Sequence, residues 1–272
     1  MQRILVGTDG SGAATEAVAW AANLARSLDD DLIVATVLTP GLAGLDAGDT
    51  AEQRSRVVHL LDTEWCDAAR AVRPDLHTLV LEGDPRTRLL DAAASEHSDL
   101  LVVGSSGTGW FPALHLGHVA HAIAHHTNVP LVVLPRDGHA PTSGPLLVGV
   151  DGSAGSAAAI RWTADLARSL DREVLAVHVH PERGRPERHA ELEQRCAEWT
   201  APLRSARVTT RVLILEGWPA KVIADLEVAE HPALVVVGAR GAGGFRDLRL
   251  GSTSLQLLHH ARTPIAIVPL SE

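Results

Sequence analysis

The chain has 272 residues, 46% of them hydrophobic and 21% charged, so it is long and apolar enough for two domain cores and is not expected to be disordered. Its 33 acidic residues outnumber the 24 basic ones, for a net charge of −9, and only 3% of the residues are aromatic. This balance argues against a general nucleic-acid surface and against a base-stacking platform.

Two cysteines stand alone, one in each half of the chain, and no apolar run approaches the ~18 residues of a membrane helix. Met1 leads directly into a strand-like run, without the pattern of a signal peptide. We therefore expect a soluble cytoplasmic protein.

The first half of the chain alternates short apolar runs with segments of helical periodicity. The predicted strands are Ile4–Gly7, Asp31–Leu38, Leu76–Leu81, Leu100–Val103 and Val129–Leu134. The predicted helices between them are Thr15–Leu28, Ala51–Ala71, Arg86–Ser95 and Gly117–His126. Apolar strands that alternate with helices predict a parallel sheet covered on both faces, and five strands with right-handed crossovers predict a doubly wound α/β fold.

The second half of the chain repeats the first. Asp9 recurs as Asp151, 142 residues later, within a matching Asp-Gly-Ser, whereas Gly104 recurs as Gly238 after 134 residues. The first copy therefore carries eight extra residues, and the Gly- and Asp-rich stretch Pro40–Thr50 is where a surface loop can absorb them. A period this long predicts duplicated domains rather than a solenoid of short repeats.

The two copies are expected to be domains of residues 1–137 and 144–272, joined by the Pro- and Gly-rich linker Arg136–Pro145. Each copy ends in an apolar strand flanked by prolines, which favours pairing of the two domains through those edges. Trp65 recurs as Trp199 at a matching helical position, and packing is the more economical use of this pair.

Ligands of such sheets bind outside the carboxyl ends of the strands, where the strand order reverses. In a sheet of order 3-2-1-4-5 that point lies between the first and fourth strands. Asp9 and Asp151 follow the first strands, and the glycine loops Gly104–Gly107 and Gly238–Gly241 follow the fourth. We expect each aspartate and its glycine loop to flank one crevice.

The second copy carries the stronger phosphate signal. Its loop contains Arg240, Arg246 and Arg249, and Gly251-Ser252 then opens the next helix. Glycine lets backbone N–H groups approach an anion, and a helix N-terminus presents free donors and positive potential. These features predict a site for a phosphate-bearing ligand, and a cap after a flexible loop is the alternative.

The spacing Gly238-x2-Gly241-x9-Gly251-Ser252, with the Val-Gly-Val-Asp-Gly-Ser opening and the closing Thr-Pro-Ile-Ala-Ile-Val-Pro, resembles the ATP-binding pattern of the universal stress protein family. The likeness extends over nearly the whole chain, in both copies. It implies two tandem flavodoxin-like sheets of order 3-2-1-4-5, also described as adenine nucleotide alpha hydrolase-like, that pair through their fifth strands. It further implies an ATP-binding protein of stress response or growth regulation, acting through nucleotide-dependent conformation or an unidentified protein partner, with a homodimer as one form.

The same resemblance implies the cofactor-binding residues. In the second copy, the aspartate lies near ribose and adenine, the residue at the end of the second strand contacts adenine, and the glycine-loop residues hold ribose and phosphates: Asp151, Val179, Gly238, Gly241, Gly251, Ser252 and Thr253. The corresponding positions in the first copy are Asp9, Val37, Gly104, Gly107, Gly117, His118 and Val119.

The two copies differ in the chemistry of this loop. His118 replaces the Ser or Thr of the family pattern, and Ser105–Leu116 contains no Arg or Lys. Charge-assisted contacts to phosphate are fewer there, so we expect the second copy to bind ATP more tightly.

Other interpretations are weaker. His118, His121 and His125 share one helix face and could bind zinc, but no carboxylate or Cys completes the set. His115-Leu116-Gly117-His118 resembles the HxGH signature of adenylyl transfer, but it follows the fourth strand, not the first. Asp9 and Asp151 could hold Mg²⁺. Slow Mg-dependent ATP hydrolysis or phosphotransfer, and a nucleotide-free interaction module, remain open as alternatives, and no catalytic residue is assigned.

Overall fold

The computed structural model describes residues 2–39, 42, 50–107, 116–136, 143–180, 187–242 and 250–270. The chain divides into two compact units, Met1–Asp137 (unit 1) and Gly138–Glu272 (unit 2). Most of the predicted linker and of the predicted insertion loop lies outside the described residues. The domain boundaries at residues 137 and 144 stay a prediction.

Unit 1 alternates strands and helices along the chain. Its strands are β1 (Arg3–Gly7), β2 (Asp31–Leu38), β3 (His77–Glu82), β4 (Leu100–Gly104) and β5 (Leu131–Leu134). Its helices are α1 (Gly12–Leu28), α2 (Thr50–Leu60), α3 (Asp67–Val72), α4 (Pro85–Ser95) and α5 (His118–His126).

Unit 2 repeats the alternation. Its strands are β6 (Leu146–Gly149), β7 (Val174–His180), β8 (Thr210–Glu216), β9 (Leu234–Gly238) and β10 (Ile265–Val268). Its helices are α6 (Ala154–Leu170), α7 (Glu187–Trp199), α8 (Ala201–Ser205), α9 (Pro219–Glu230) and α10 (Ser252–His260).

The strand order in unit 1 is β3-β2-β1-β4-β5, and in unit 2 it is β8-β7-β6-β9-β10, which is the same order for the repeated strands. Neighbouring strands within each unit run parallel. The central strands β1 and β4 pair in the register Ile4↔Leu100 to Val6↔Val102, and these residues are fully buried. The predicted doubly wound α/β fold is confirmed, and its reversal point lies between the first and fourth strands of each unit.

The helix after the first strand is set by caps that recur in both units. Ser11 caps α1 by accepting a hydrogen bond from the N–H of Ala14 at 3.4 Å, and Ser153 caps α6 in the same way. Asp29 ends α1 in the left-handed conformation at φ 57°, which Asp171 repeats at φ 50°. These caps account for the recurrence of Asp-Gly-Ser and Leu-Ala-Arg-Ser-Leu-Asp in the sequence.

Small residues bring α1 close to the sheet. The buried face of α1 is made largely of alanine, and a Cβ added at Gly104 would lie 2.8 Å from the backbone carbon of Ala13. The end of β4 therefore packs directly against the first turn of α1, which fixes the two segments that flank the predicted crevice.

The single helix expected over Ala51–Ala71 is interrupted in the structure. One π-helical turn, Leu61–Trp65, follows α2, and α3 begins only at Asp67. Trp65 ends this turn, and its indole lies on Gly10, where a Cβ would overlap the ring. Trp199 makes the same contact with Gly152 from the end of the uninterrupted helix α7, so the tryptophan contact does not account for the break.

Both cysteines are buried and unlinked. Burial raises the pKa of the Cys66 thiol to about 11, so this thiol carries little thiolate at neutral pH. No helix within the described ranges combines the length and the apolar character that crossing a membrane demands.

Gly10→Ala tests the packing of Trp65 on the loop after β1. Gly10 has φ +77° and no room for a Cβ, so we expect a loss of about 1–3 kcal/mol in unfolding free energy, measured by urea denaturation with circular dichroism. Gly12→Ala is the matched control, since nothing lies within 4 Å of its Cβ position. A loss that does not shrink when Trp65 is also changed to Leu contradicts the steric explanation.

Candidate functional site

Three segments of unit 1 converge at the carboxyl ends of β1 and β4. They are the loop after β1, the loop after β4 and the first turn of α5. The Ser11 hydroxyl donates to the carbonyl of Ser106 at 3.3 Å, and the N–H of Gly117 donates to the carbonyl of Ser105 at 2.6 Å. The glycine loop is therefore tied on one side to α1 and on the other to α5.

A cavity of about 310 Å³ lies at this edge of unit 1. Its walls come from the ends of β1, β2 and β4 and from the first turns of α4 and α5. All seven residues predicted for the first copy line it: Asp9, Val37, Gly104, Gly107, Gly117, His118 and Val119. The structure brings these positions together around one space, and their roles toward a ligand stay a prediction.

The cavity wall combines apolar and polar residues. Val37, Leu42, Leu89 and Val103 supply aliphatic wall, all of them buried. Ser105 also belongs to the wall with 4% of its surface exposed, and its hydroxyl oxygen is buried without a hydrogen-bond partner among the described residues. An unpaired buried hydroxyl costs about 1–3 kcal/mol.

Sequence reasoning missed several wall residues. Thr39 and Leu42 follow β2, Pro85 and Leu89 belong to α4, and Ser106 precedes the second glycine of the loop. Alternation along β2 could have indicated one of them, because Ala35, Val37 and Thr39 line the cavity two residues apart. The α4 residues carry no local signal, since they reach the site through packing of the helix.

In unit 2, Asp151 joins the loops after β6 and β9. Its Oδ1 accepts hydrogen bonds from the Ser153 N–H at 2.9 Å and the Ser153 hydroxyl at 2.6 Å, and its Oδ2 accepts from the Ala242 N–H at 2.7 Å. In unit 1, Asp9 Oδ1 accepts from the Ser11 N–H at 3.0 Å. The aspartate stabilises the strand-to-helix turn, and in unit 2 it also holds the glycine loop.

The second glycine of each loop has a packing reason. A Cβ at Gly107 would overlap Oδ2 of Asp9, and one at Gly241 would lie 2.5 Å from Oδ2 of Asp151. From the sequence, the expected role of this glycine is to let the backbone approach an anion. The structure shows a second reason, because the aspartate fills the space that a side chain at this position would need. This requirement applies whether or not a ligand is bound.

The other residues predicted for unit 2 surround the same strand ends. Val179 lies half-buried near the end of β7, Gly238 ends β9, and Gly251 precedes α10, with its N–H donating to the carbonyl of Ala239 at 2.7 Å. Ser252 is exposed and Thr253 half-buried in the first turn of α10.

The arginines of the unit-2 loop are only partly described. The carbonyl of Arg240 accepts from the Ser153 hydroxyl at 3.4 Å. Arg246 and Arg249, which support the expectation of tighter binding by the second copy, lie outside the described residues. That expectation stays a prediction.

A histidine that sequence reasoning missed supports the loop of Asp151. His178 is buried in β7 with 9% of its surface exposed, and its Nδ1 donates to the carbonyl of Val150 at 2.7 Å. Its ring meets the edge of Trp199, which covers Gly152 as Trp65 covers Gly10. Unit 1 has Thr36 at the matching position, so the two units stabilise this turn differently.

The histidine face of α5 is present as predicted from its spacing, with the rings of His121 and His125 4.7 Å apart. Burial and the neighbouring imidazoles lower the pKa of His125. Within the described part of the chain, no group of three or more His, Cys, Asp or Glu side chains is arranged to hold a metal ion. His115, the first histidine of the HxGH pattern, lies outside the described residues.

The sequence matches the family model described as the universal stress protein family over residues 1–135 and 143–269. A universal stress protein of Mycolicibacterium smegmatis is 30% identical over 295 residues, which cover 97% of this chain and 96% of that protein. The family model therefore matches two tandem segments, one in each half of the chain.

One solved structure that covers nearly the whole chain shares the fold. A universal stress protein from Archaeoglobus fulgidus superposes with a TM-score of 0.75 at 20% identity and covers 98% of both chains. A universal stress protein in complex with cAMP is 28% identical over 50% of this chain and 97% of that chain, with a TM-score of 0.40.

Asp151→Asn tests the structural role of this carboxylate. Both carboxylate oxygens of Asp151 accept hydrogen bonds. The amide of asparagine has one acceptor oxygen, so at least one of these donors would face an NH2 group instead. We expect unit 2 to lose about 1–3 kcal/mol of unfolding free energy without any nucleotide, measured by urea denaturation. Asp165→Asn is the control, because its carboxylate is exposed on α6 and pairs only with Arg168 across one turn. Equal stability of both variants would mean that the hydrogen bonds of Asp151 do not stabilise the fold.

Proposed function

The chain belongs to the universal stress protein family, and from that premise we propose that both units bind ATP at the carboxyl edge of their sheets. The observation that carries this proposal is the unit-1 cavity, which unites all seven residues expected from the sequence. Binding would set a conformational or partner-binding state.

The walls of the cavity suit the parts of a nucleotide. Val37 and Leu42 offer an aliphatic surface for adenine, and Asp9, which lies against Gly107 of the glycine loop, offers a carboxylate to which a ribose hydroxyl can donate. The first turn of α5 presents backbone N–H groups at Val119 and Ala120, which suit a phosphate.

Unit 2 is proposed to bind more tightly than unit 1. It repeats the same turns, with Asp151, Gly241 and Gly251 in place of Asp9, Gly107 and Gly117, and its loop contains three arginines. Each charge-assisted contact to phosphate is stronger than a neutral one, so even one such contact is expected to separate the two affinities by about tenfold.

ATP titration by calorimetry tests both statements on the full-length chain. We expect two binding events in the wild type, loss of the tighter one in Gly241→Val and loss of the weaker one in Gly107→Val. Each side chain would displace the neighbouring aspartate and block its glycine loop. The variants control for each other, because each leaves the opposite unit unchanged.

The outcomes separate the alternatives. Absence of heat and of any thermal shift in the wild type with millimolar ATP would remove nucleotide binding and support an interaction module. Equal affinities would remove only the ranking of the two units. Phosphate release that needs Mg²⁺ and disappears in Asp151→Ala would instead support slow hydrolysis.

A further inference from the structure

The described wall of the unit-1 cavity contains very little charge. Among the described residues that line it, Asp9 and His118 are the only titratable side chains, and none is Lys or Arg. Asp9 lies against Gly107 at the inner end of the loop, and His118 is the first residue of α5. An anionic group in this cavity is therefore repelled from the aspartate and has one side chain that can supply a positive charge.

His118 occupies a position suited to an anion. Gly117 precedes it without a side-chain cap, so the first N–H groups of α5 are left for other partners. His118, Val119 and Ala120 of this first turn all line the cavity, so their groups lie beside the space that a ligand would fill. In unit 2 the matching first residue of α10 is Ser252, which cannot carry charge.

The surroundings of His118 contain few competing charges. From the loop after β1 the cavity receives Asp9, and from the described part of the loop after β4 it receives the uncharged Ser105, Ser106 and Gly107. From α4 it receives Pro85 and Leu89, and the charged pairs of that helix, Asp84 with Arg86 and Arg88 with Asp91, are exposed. On α5 itself, the exposed His121 follows one turn later and His125 one turn beyond it.

We propose that unit 1 is a pH-dependent nucleotide site, in which the protonated imidazole of His118 holds the phosphate group. This rests on the proposed nucleotide binding and adds its regulation. Imidazole is the one side chain whose charge ordinarily changes between pH 5 and 8. Protonation of His118 would add a cation to the described wall of unit 1 as the pH falls, whereas the loop of unit 2 contains arginine, which stays charged.

The direction follows from linkage. A bound phosphate favours the charged imidazole, so His118 takes up a proton when the nucleotide binds at neutral pH. Affinity therefore rises as the pH falls and levels off once the free protein is already protonated. Lower pH also protonates the terminal phosphate of the ligand, and that effect is common to every variant.

The test uses the full-length chain carrying Gly241→Val, so that unit 1 is read alone, with ATP in the presence of EDTA. Between pH 8 and pH 5.5, we expect the dissociation constant for ATP to decrease in the protein that retains His118. This decrease should exceed the one in the His118→Ser variant by at least about tenfold. His118→Arg should bind as tightly at pH 8 as the histidine form does at pH 5.5, because guanidinium is a permanent cation.

A second readout needs no silenced unit. In the otherwise wild-type chain, the NMR signal of the His118 imidazole, assigned by its absence in His118→Ser, should titrate at higher pH with ATP than without it. The inference is overturned if ATP binding has the same pH profile with and without His118→Ser and if ATP does not displace the NMR titration. That result leaves the proposed function intact. No ATP binding to the wild type at any pH removes both.

Discussion

Contact between an aspartate and a glycine holds the edge of each unit together. Asp9 occupies the space that a side chain at Gly107 would need, and Asp151 does the same at Gly241. This contact joins the turn after the first strand to the loop after the fourth, two segments almost 100 residues apart in sequence. A ligand site needs fixed walls. Here the two loops are held together because the aspartate carboxylate packs directly against the backbone of a glycine, which has no Cβ.

Two further layers support that contact. A tryptophan from the helical segment after the second strand covers the positive-φ glycine of each first turn. Alanines of α1 allow the end of β4 to approach closely, and a Cβ at Gly104 would collide with that helix. The glycines of the family motif therefore serve the packing of the fold in addition to the proposed nucleotide site. This packing role applies to unit 1 as well, although its loop contains neither the arginines nor the Ser or Thr of unit 2.

The two units share a scaffold and differ in charge. Unit 1 has His118 at the start of α5 and a described cavity wall without arginine, whereas unit 2 has Ser252 and Arg240 at the corresponding places. Support for the first turn differs too, since buried His178 donates to the carbonyl of Val150 just after β6, where unit 1 has Thr36. The two units therefore present the same turns with different charges.

The sequence by itself determined the duplication, the alternation of strands and helices, the strand order through the family resemblance, and the positions that meet at the sheet edge. The duplication and the alternation follow from repeated residues and local periodicity, which the chain displays directly, whereas the strand order and the site positions are what the family resemblance implies. Only the tertiary structure decided that α2 breaks at Leu61–Trp65, that Leu42, Leu89 and Ser105 complete the cavity, and that Asp151 clamps two loops with both carboxylate oxygens. For the cavity wall and the clamp the physical reason is the same. These features depend on contacts between residues that are distant in sequence, and local sequence patterns contain no information about such contacts.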